Sequence, residues 1–270
     1  MTQARDFLGM EHTGDELHWR LEVIPELTTP GKFLFGGCGL GAALVALEAA
    51  SRRPTVWATA QYLSFARTHS TLDLTVTLAA TGRNVTQARA VGFVDGREIL
   101  TVNAALGGPA RVDTGTGVWA EPPDVPPPGS CPLRRLPVPE SVSIFDRLEV
   151  RLAKGRSFEE LAEKDLPGQP DSALWVRIPG HLAPSAPTLA IIGDHVTGGV
   201  SQALGRRAMS KSLDNTLRVV HLEPSEWVLC DIRIQAVADG YGQGVAFLWS
   251  EEGALLATAS QSMSIRFWDL

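Results

Sequence analysis

The chain has 270 residues, 24 lysines and arginines against 30 aspartates and glutamates (net charge −6), and 44% hydrophobic content. That suffices for one large or two small globular domains. No apolar run approaches the ~18 residues a membrane span needs, and no Lys/Arg run suggests a nucleic-acid surface. The N-terminus has no apolar leader, so no signal peptide is expected. Cys38, Cys131 and Cys230 are odd in number and scattered. They suit neither a disulfide framework nor a zinc site, and the expected setting is a reducing cytoplasm.

The first predicted element is a helix. Leu40, Ala43, Leu44 and Leu47 fall at i, i+3, i+4 and i+7 on one face, with Gly36 and Gly37 just before them. Next, Leu72, Leu74, Val76 and Leu78 alternate with Asp73, Thr75 and Thr77, the period of a strand with one buried face. Asp95-Gly96 predicts a hairpin turn, and Leu100, Val102, Ala104 and Leu106 alternate after it. Nine of the 18 prolines then fall between Pro109 and Pro139. A segment so rich in proline cannot be a helix or an inner strand and reads as an extended linker. The expected division is a first unit over 1–108, a linker over 109–140 and a second unit over 141–270.

In the second unit the stretch 144–152 alternates like a strand. Ser157 and Glu160 predict a capping box for a short helix over 157–165. A strand follows over 173–178, and 179–187 reads as loop. Gly198-Gly199 then precedes a helix carrying Val200, Ala203 and Leu204. The final strands repeat those of the first unit. Adding 156 to the strand at Leu72 gives Val228, Cys230, Ile232 and Ile234 with the apolar phase kept, and a one-residue slip would have inverted it. After the turn at Glu252-Gly253 the offset is 157, which pairs Leu100, Val102, Ala104 and Leu106 with Ala257, Ala259, Gln261 and Met263. The helices match less closely: the glycines differ by 162 and the apolar residues by 160. Each unit is thus an apolar helix followed by an antiparallel meander, whose single apolar face can be buried by wrapping the helix.

A duplication provides an internal control, because packing alone explains a polar residue poorly where the other copy carries a bland one. Gln261 lies on the apolar phase of its strand where the first unit has Ala104, and an inward amide is costly unless hydrogen-bonded. Asp194 lies ahead of the second helix; the helix offset of 162 gives Lys32, so the first unit has no carboxylate there. It reads either as a turn residue or as a functional one. His195 beside it, Ser212 and Asp214 do not stand out by themselves. The paired glycines before each helix suit either a tight turn or a ligand approaching the helix N–H groups, where the dipole favours negative charge such as a developing oxyanion. No G-x-S-x-G elbow is present. The Gly37 run lacks the strand and spacing of a dinucleotide fingerprint, and nothing in the sequence places a histidine to activate Cys38.

Several stretches together resemble the acyl-CoA thioesterase II (TesB-like) family. They are Phe35-Gly36-Gly37 with its helix, Thr81-Gly82-Arg83-Asn84-Val85 leading to Arg89, Phe93-Val94-Asp95-Gly96, and Leu256 to Gln261 leading to Arg266. The resemblance covers most of the chain. It implies an α+β double hotdog: two tandem hotdog units, each an antiparallel sheet wrapped around a central helix. It also implies hydrolysis of an acyl-CoA substrate by a water oriented by Asp194, Ser212 and Gln261, with Gly36 and Gly37 at the oxyanion. No cofactor or metal is implied, and the resemblance suggests a homodimer or higher homo-oligomer. Two departures stand out. The family usually has histidine after Ser/Thr-Leu/Ile-Asp, followed shortly by an aromatic run; here Asn215 follows Asp214 and the aromatic run is missing. A hotdog hydratase or dehydratase and a non-catalytic acyl-CoA binding protein remain as alternative expectations.

Overall fold

The computed structural model describes residues 4–108, 117–135, 142–163, 166–180 and 183–267. The first unit contains α1 (Ala4–Leu8), β1 (Met10–His12), β2 (His18–Glu22), α2 (Gly36–Ser51), β3 (Thr55–Tyr62), β4 (Thr71–Thr81), β5 (Val85–Val94) and β6 (Arg97–Gly107). The second contains β7 (Glu149–Lys154), β8 (Asp171–Arg177), α3 (Ala186–Gly193), α4 (Gly199–Leu204), β9 (Ala208–Ser212), β10 (Asp214–Val219), β11 (Val228–Ala238), β12 (Tyr241–Ser250) and β13 (Leu255–Phe267).

All the strands belong to one antiparallel sheet in the order β1-β2-β4-β5-β6-β3-β10-β13-β12-β11-β8-β7, with β9 paired to β13. The second half of that order mirrors the first, so the units are related by a pseudo-two-fold axis through the β3–β10 seam. Thr59 pairs with Thr216 there, 157 residues apart, and their hydroxyls meet at 2.7 Å. The fold is the expected α+β double hotdog, and a single hydrophobic core runs through both units.

The alternating strands form as their periods require. Leu72, Leu74 and Val76 are buried on β4, as are Val228, Cys230, Ile232 and Ile234 on β11. At Asp95-Gly96 both residues have positive φ, 50° and 75°, which matches the hairpin turn that follows strand twist.

Helix α3 lies partly where a loop was expected. Its N-cap Ser185 is reciprocally bonded with Thr188, and every residue from Ala186 to Gly193 is buried. A helix buried all round has no polar face, so it leaves no 3.6-residue signature. It packs on α2 at very short range. A Cβ on Gly37 would lie 2.8 Å from the Ala190 carbonyl oxygen and the Ile191 Cα, and one on Gly41 would lie 3.0 Å from the Pro187 carbonyl oxygen. Only glycine on this face of α2 lets the two backbones approach so closely.

The predicted helix at Gly199 is short: a 3-10 turn over Val196–Gly198, then α4. Two further expectations are corrected. The stretch 144–152 is a 3-10 turn, Ile144–Asp146, followed by β7. The capping box at Ser157 forms, with Ser157 N–H donating to Glu160 Oε2 at 2.7 Å and Glu160 N–H to Ser157 Oγ at 3.2 Å. It starts only the 3-10 turn Glu160–Ala162, and the end of the predicted helix lies outside the described residues.

The described part of the proline-rich segment, 117–135, is a strap rather than a free linker. It lies on the outer face of the second unit, where Ala120, Val125 and Cys131 pack with Trp175, Trp227, Leu229 and Trp249. Trp175 Nε1 donates to the Pro126 carbonyl oxygen at 2.9 Å. Proline suits a strap because it extends over the sheet without offering N–H groups that need burial partners.

Candidate active site

Asp194 caps the C-terminus of α3 and is buried. Its Oδ2 accepts the Gly37 N–H at 2.6 Å, again across 157 residues. At the strand offset of 157 the first-unit position that corresponds to Asp194 is Gly37, whereas the helix offset of 162 gives Lys32. Asp194 Oδ1 accepts from Gln261 Nε2 at 2.5 Å and from Asn215 Nδ2 at 3.2 Å. Gln261 Nε2 also reaches Ser212 Oγ at 3.0 Å. Asp194, Ser212 and Gln261 thus share one hydrogen-bonded cluster, with Gln261 between the other two. Gln261 Oε1 is buried and has no partner among the described residues.

The strands explain how these side chains meet. Ser212 pairs with Met263 and Thr216 with Ser260, so four steps on β9–β10 face three on β13. The extra residue is a bulge at Leu213, closed by Ser262 N–H donating to Asp214 Oδ1 at 2.6 Å. A bulge switches the face a strand presents. Ser212 before it and Asn215 after it can therefore both point inward. Asp214 braces this bulge, which accounts for its place in the sequence.

Asn215 is the site residue that the sequence reading missed, although a signal existed. Subtracting 157 from Asn215 and Gln261 gives Ala58 and Ala104, which face each other across β3 and β6 and are both buried. The second unit replaces an alanine pair with an amide pair, and both amides donate to Asp194.

Burial pushes the Asp194 carboxyl from 3.8 up to about 7 against the pull of three hydrogen bonds, from Gly37, Gln261 and Asn215. Removing the Asn215 donor would raise it further. Asn215→Ala is therefore expected to move any ionisation of this carboxylate seen in a pH–rate profile to higher pH; an unmoved midpoint would separate Asn215 from the carboxylate's chemistry.

His195 is poorly suited to act as a base. Its Nδ1 lies 2.9 Å from the Ile192 carbonyl oxygen, an acceptor, so Nδ1 carries the proton. The ring stands edge-on to Phe35 and Phe145, and burial lowers its pKa to about 4. Cys38 is fully buried, and burial raises its thiol pKa far out of the range of a nucleophile.

The glycines are placed differently from the expectation. Gly36 and Gly37 are the first residues of α2, behind the N-cap Phe35. The Gly37 N–H is held by Asp194 and is not free for a ligand. The Gly36 N–H opens the helix, where no intrahelical carbonyl can reach it. The glycines of the second unit pack: a Cβ on Gly199 would come within 2.8 Å of Ile232.

A model of the acyl-CoA thioesterase C-terminal domain matches residues 120–265. The chain belongs to the acyl-CoA thioesterase family. As a family member it is a thioester hydrolase. The match begins within the strap, which packs on the second unit. A candidate thioesterase from Novosphingobium aromaticivorans DSM 12444 is 33% identical, with a TM-score of 0.83 over 94% of this chain and 97% of that one. The acyl-CoA thioesterase II TesB2 from Mycobacterium marinum is 18% identical, with a TM-score of 0.76 over 98% of this chain and 99% of that one. A hot dog fold protein from Alicyclobacillus acidocaldarius is 21% identical, with a TM-score of 0.84 over 97% of each chain. At such identities the last two show the fold alone. No curated protein matches the chain.

Proposed function

We propose that this thioesterase hydrolyses acyl-CoA to the free acid and CoA, using one water positioned by Asp194, Gln261 and Ser212. The observation that carries this reading is a buried carboxylate whose pKa lies near 7, tied to an amide with an unpartnered buried acceptor. A base poised near the working pH is the most effective proton acceptor. Gln261 Oε1 can accept one water proton while the Asp194 carboxylate takes the other, and the Ser212 hydroxyl completes the set.

The water oxygen bonds to the thioester carbon as its proton passes to Asp194. The carbonyl oxygen becomes an oxyanion, held at the N-terminus of α2 by the Gly36 N–H. When the carbonyl re-forms, the C–S bond breaks and the CoA thiolate takes the proton from Asp194. A hydration reaction finds less support, because His195, neutral and clamped between phenylalanines, offers no acid–base group.

The test is release of free CoA from a panel of acyl-CoA substrates of different chain length. Turnover is expected with wild type, and Gln261→Ala is expected to lose most of it with little change in the KM of the preferred substrate. Binding of acyl-CoA without any release of thiol would replace this reading with a carrier function.

A further inference from the structure

Tyr62, at the end of β3, comes from the opposite unit to Asp194 and Gln261, yet it reaches the same place. A Cβ on Gly36 would lie 3.0 Å from both the Tyr62 hydroxyl oxygen and Asp194 Oδ2. The hydroxyl and the carboxylate therefore close in on the first residue of α2, where a side chain would be crowded and glycine leaves the helix N-terminus uncovered. The Tyr62 hydroxyl is buried and has no partner of hydrogen-bond geometry among the described residues. A buried O–H that meets no acceptor is costly, and such groups call for an explanation. Around it Thr59 is paired with Thr216, and the Asn215 and Gln261 amide nitrogens with Asp194, while Gln261 Oε1 is likewise buried without a partner.

We infer that the Tyr62 hydroxyl donates to the thioester carbonyl oxygen beside the Gly36 N–H, making a catalytic oxyanion donor contributed by the first unit to the second unit's carboxylate. This inference rests on the hydrolysis proposed above.

The surroundings of Tyr62 fit a donor and not a base. Burial and the neighbouring Asp194 charge push the phenol well above its usual pKa of 10, with the nearby Asn215 amide opposing. Tyr62 thus keeps its proton throughout the reaction. A fixed neutral donor also needs no reorganisation as charge develops on the carbonyl oxygen, the property that makes such groups effective. In the first unit's own copy of this arrangement the counterpart of Tyr62 is Val219 and that of Gln261 is Ala104. One composite site results from two units, and neither unit holds a whole one.

The experiment compares wild type with Tyr62→Phe on the acyl-CoA that wild type hydrolyses best. This substitution removes a buried hydroxyl that donates to no acceptor and has only the Asn215 amide acting on it, so the melting temperature should change little. The expected result is a fall in kcat of about 100-fold, with KM and the midpoint of the pH–rate profile unchanged. A merely structural tyrosine would instead change KM and the melting temperature together, and that pattern would overturn the inference. Wild-type kcat in Tyr62→Phe would overturn it too, and leave hydrolysis at Asp194 standing. A moved pH midpoint with an equal loss of rate would also overturn it, making Tyr62 a positioning residue for Asp194. Wild type inactive on every acyl-CoA would remove both readings.

Discussion

Asp194→Ala is expected to lower kcat by about 10²–10⁴-fold, the range that loss of a positioned acid–base group produces. In the proposed mechanism the side chain is the proton acceptor, and it also organises its neighbours. Without it the Gly37 N–H and the Gln261 and Asn215 amides lose their shared acceptor. Buried donors without partners cost stability as well as rate. The same variant gives a second readout. The folded carboxyl is raised from 3.8 to about 7. A raised acid contributes stability that is complete below its unfolded pKa and is lost as pH rises through the folded value. Wild type should therefore lose stability from this group between about pH 4 and pH 7, whereas Asp194→Ala should not. The difference in melting temperature between them should be largest at low pH and narrow towards neutrality. A difference independent of pH would show that the carboxyl is not shifted.

Gly37→Ala is expected to be the most damaging single-methyl change on α2. The added carbon would lie 2.8 Å from a carbonyl oxygen and a Cα of α3 and 2.9 Å from the Asp194 Cβ. None of these is the free end of a flexible side chain, so one helix must move. Overpacking of this kind costs about 1–3 kcal/mol or more, and the helices that separate are those that bring the Gly37 N–H to Asp194. Thermal unfolding and turnover should fall together. Gly39→Ala is the control, two residues along the same helix. Its new carbon would meet only Leu100 and Leu34 methyl groups at 3.5 and 3.6 Å, ordinary contact distances. Alanine is the better helix former by about 1 kcal/mol, so Gly39→Ala should hold or gain stability. Equal effects of the two substitutions would mean that the α2–α3 approach is not the tight contact described.

The sequence shows the fold clearly where physics leaves a period. Strands with one buried face alternate, and the offsets of 156 and 157 hold across both halves. That is enough to recognise a duplication and the hairpin turns. It fails where burial is complete. Helix α3 has no exposed face and hence no rhythm. The strap itself was read from its prolines as a linker, because proline content reports an extended backbone and not what the backbone lies against.

The site was legible in part for a similar reason. Gln261 stands out because the copy at Ala104 is bland, and the same subtraction exposes Asn215 opposite Ala58. Ser212 drew attention only through the family resemblance, since a bulge decides which way it faces and a bulge has no simple sequence mark. For Asp194 the helix offset of 162 gives Lys32. The strand offset of 157 leads to Gly37, the residue that donates to it. Tyr62 leaves no sequence mark because it lies in the other unit from Asp194, and a unit-by-unit comparison cannot pair residues that meet across the seam.

The most direct test is the pH dependence of kcat/KM for CoA release, followed by chromatography of free CoA from pH 5 to 9. Because the protonated carboxyl cannot accept a proton from water, the rate should rise with pH through a single ionisation near 7 and then level off. A rate that stays flat across that range in an active enzyme would contradict a catalytic role for the buried carboxylate.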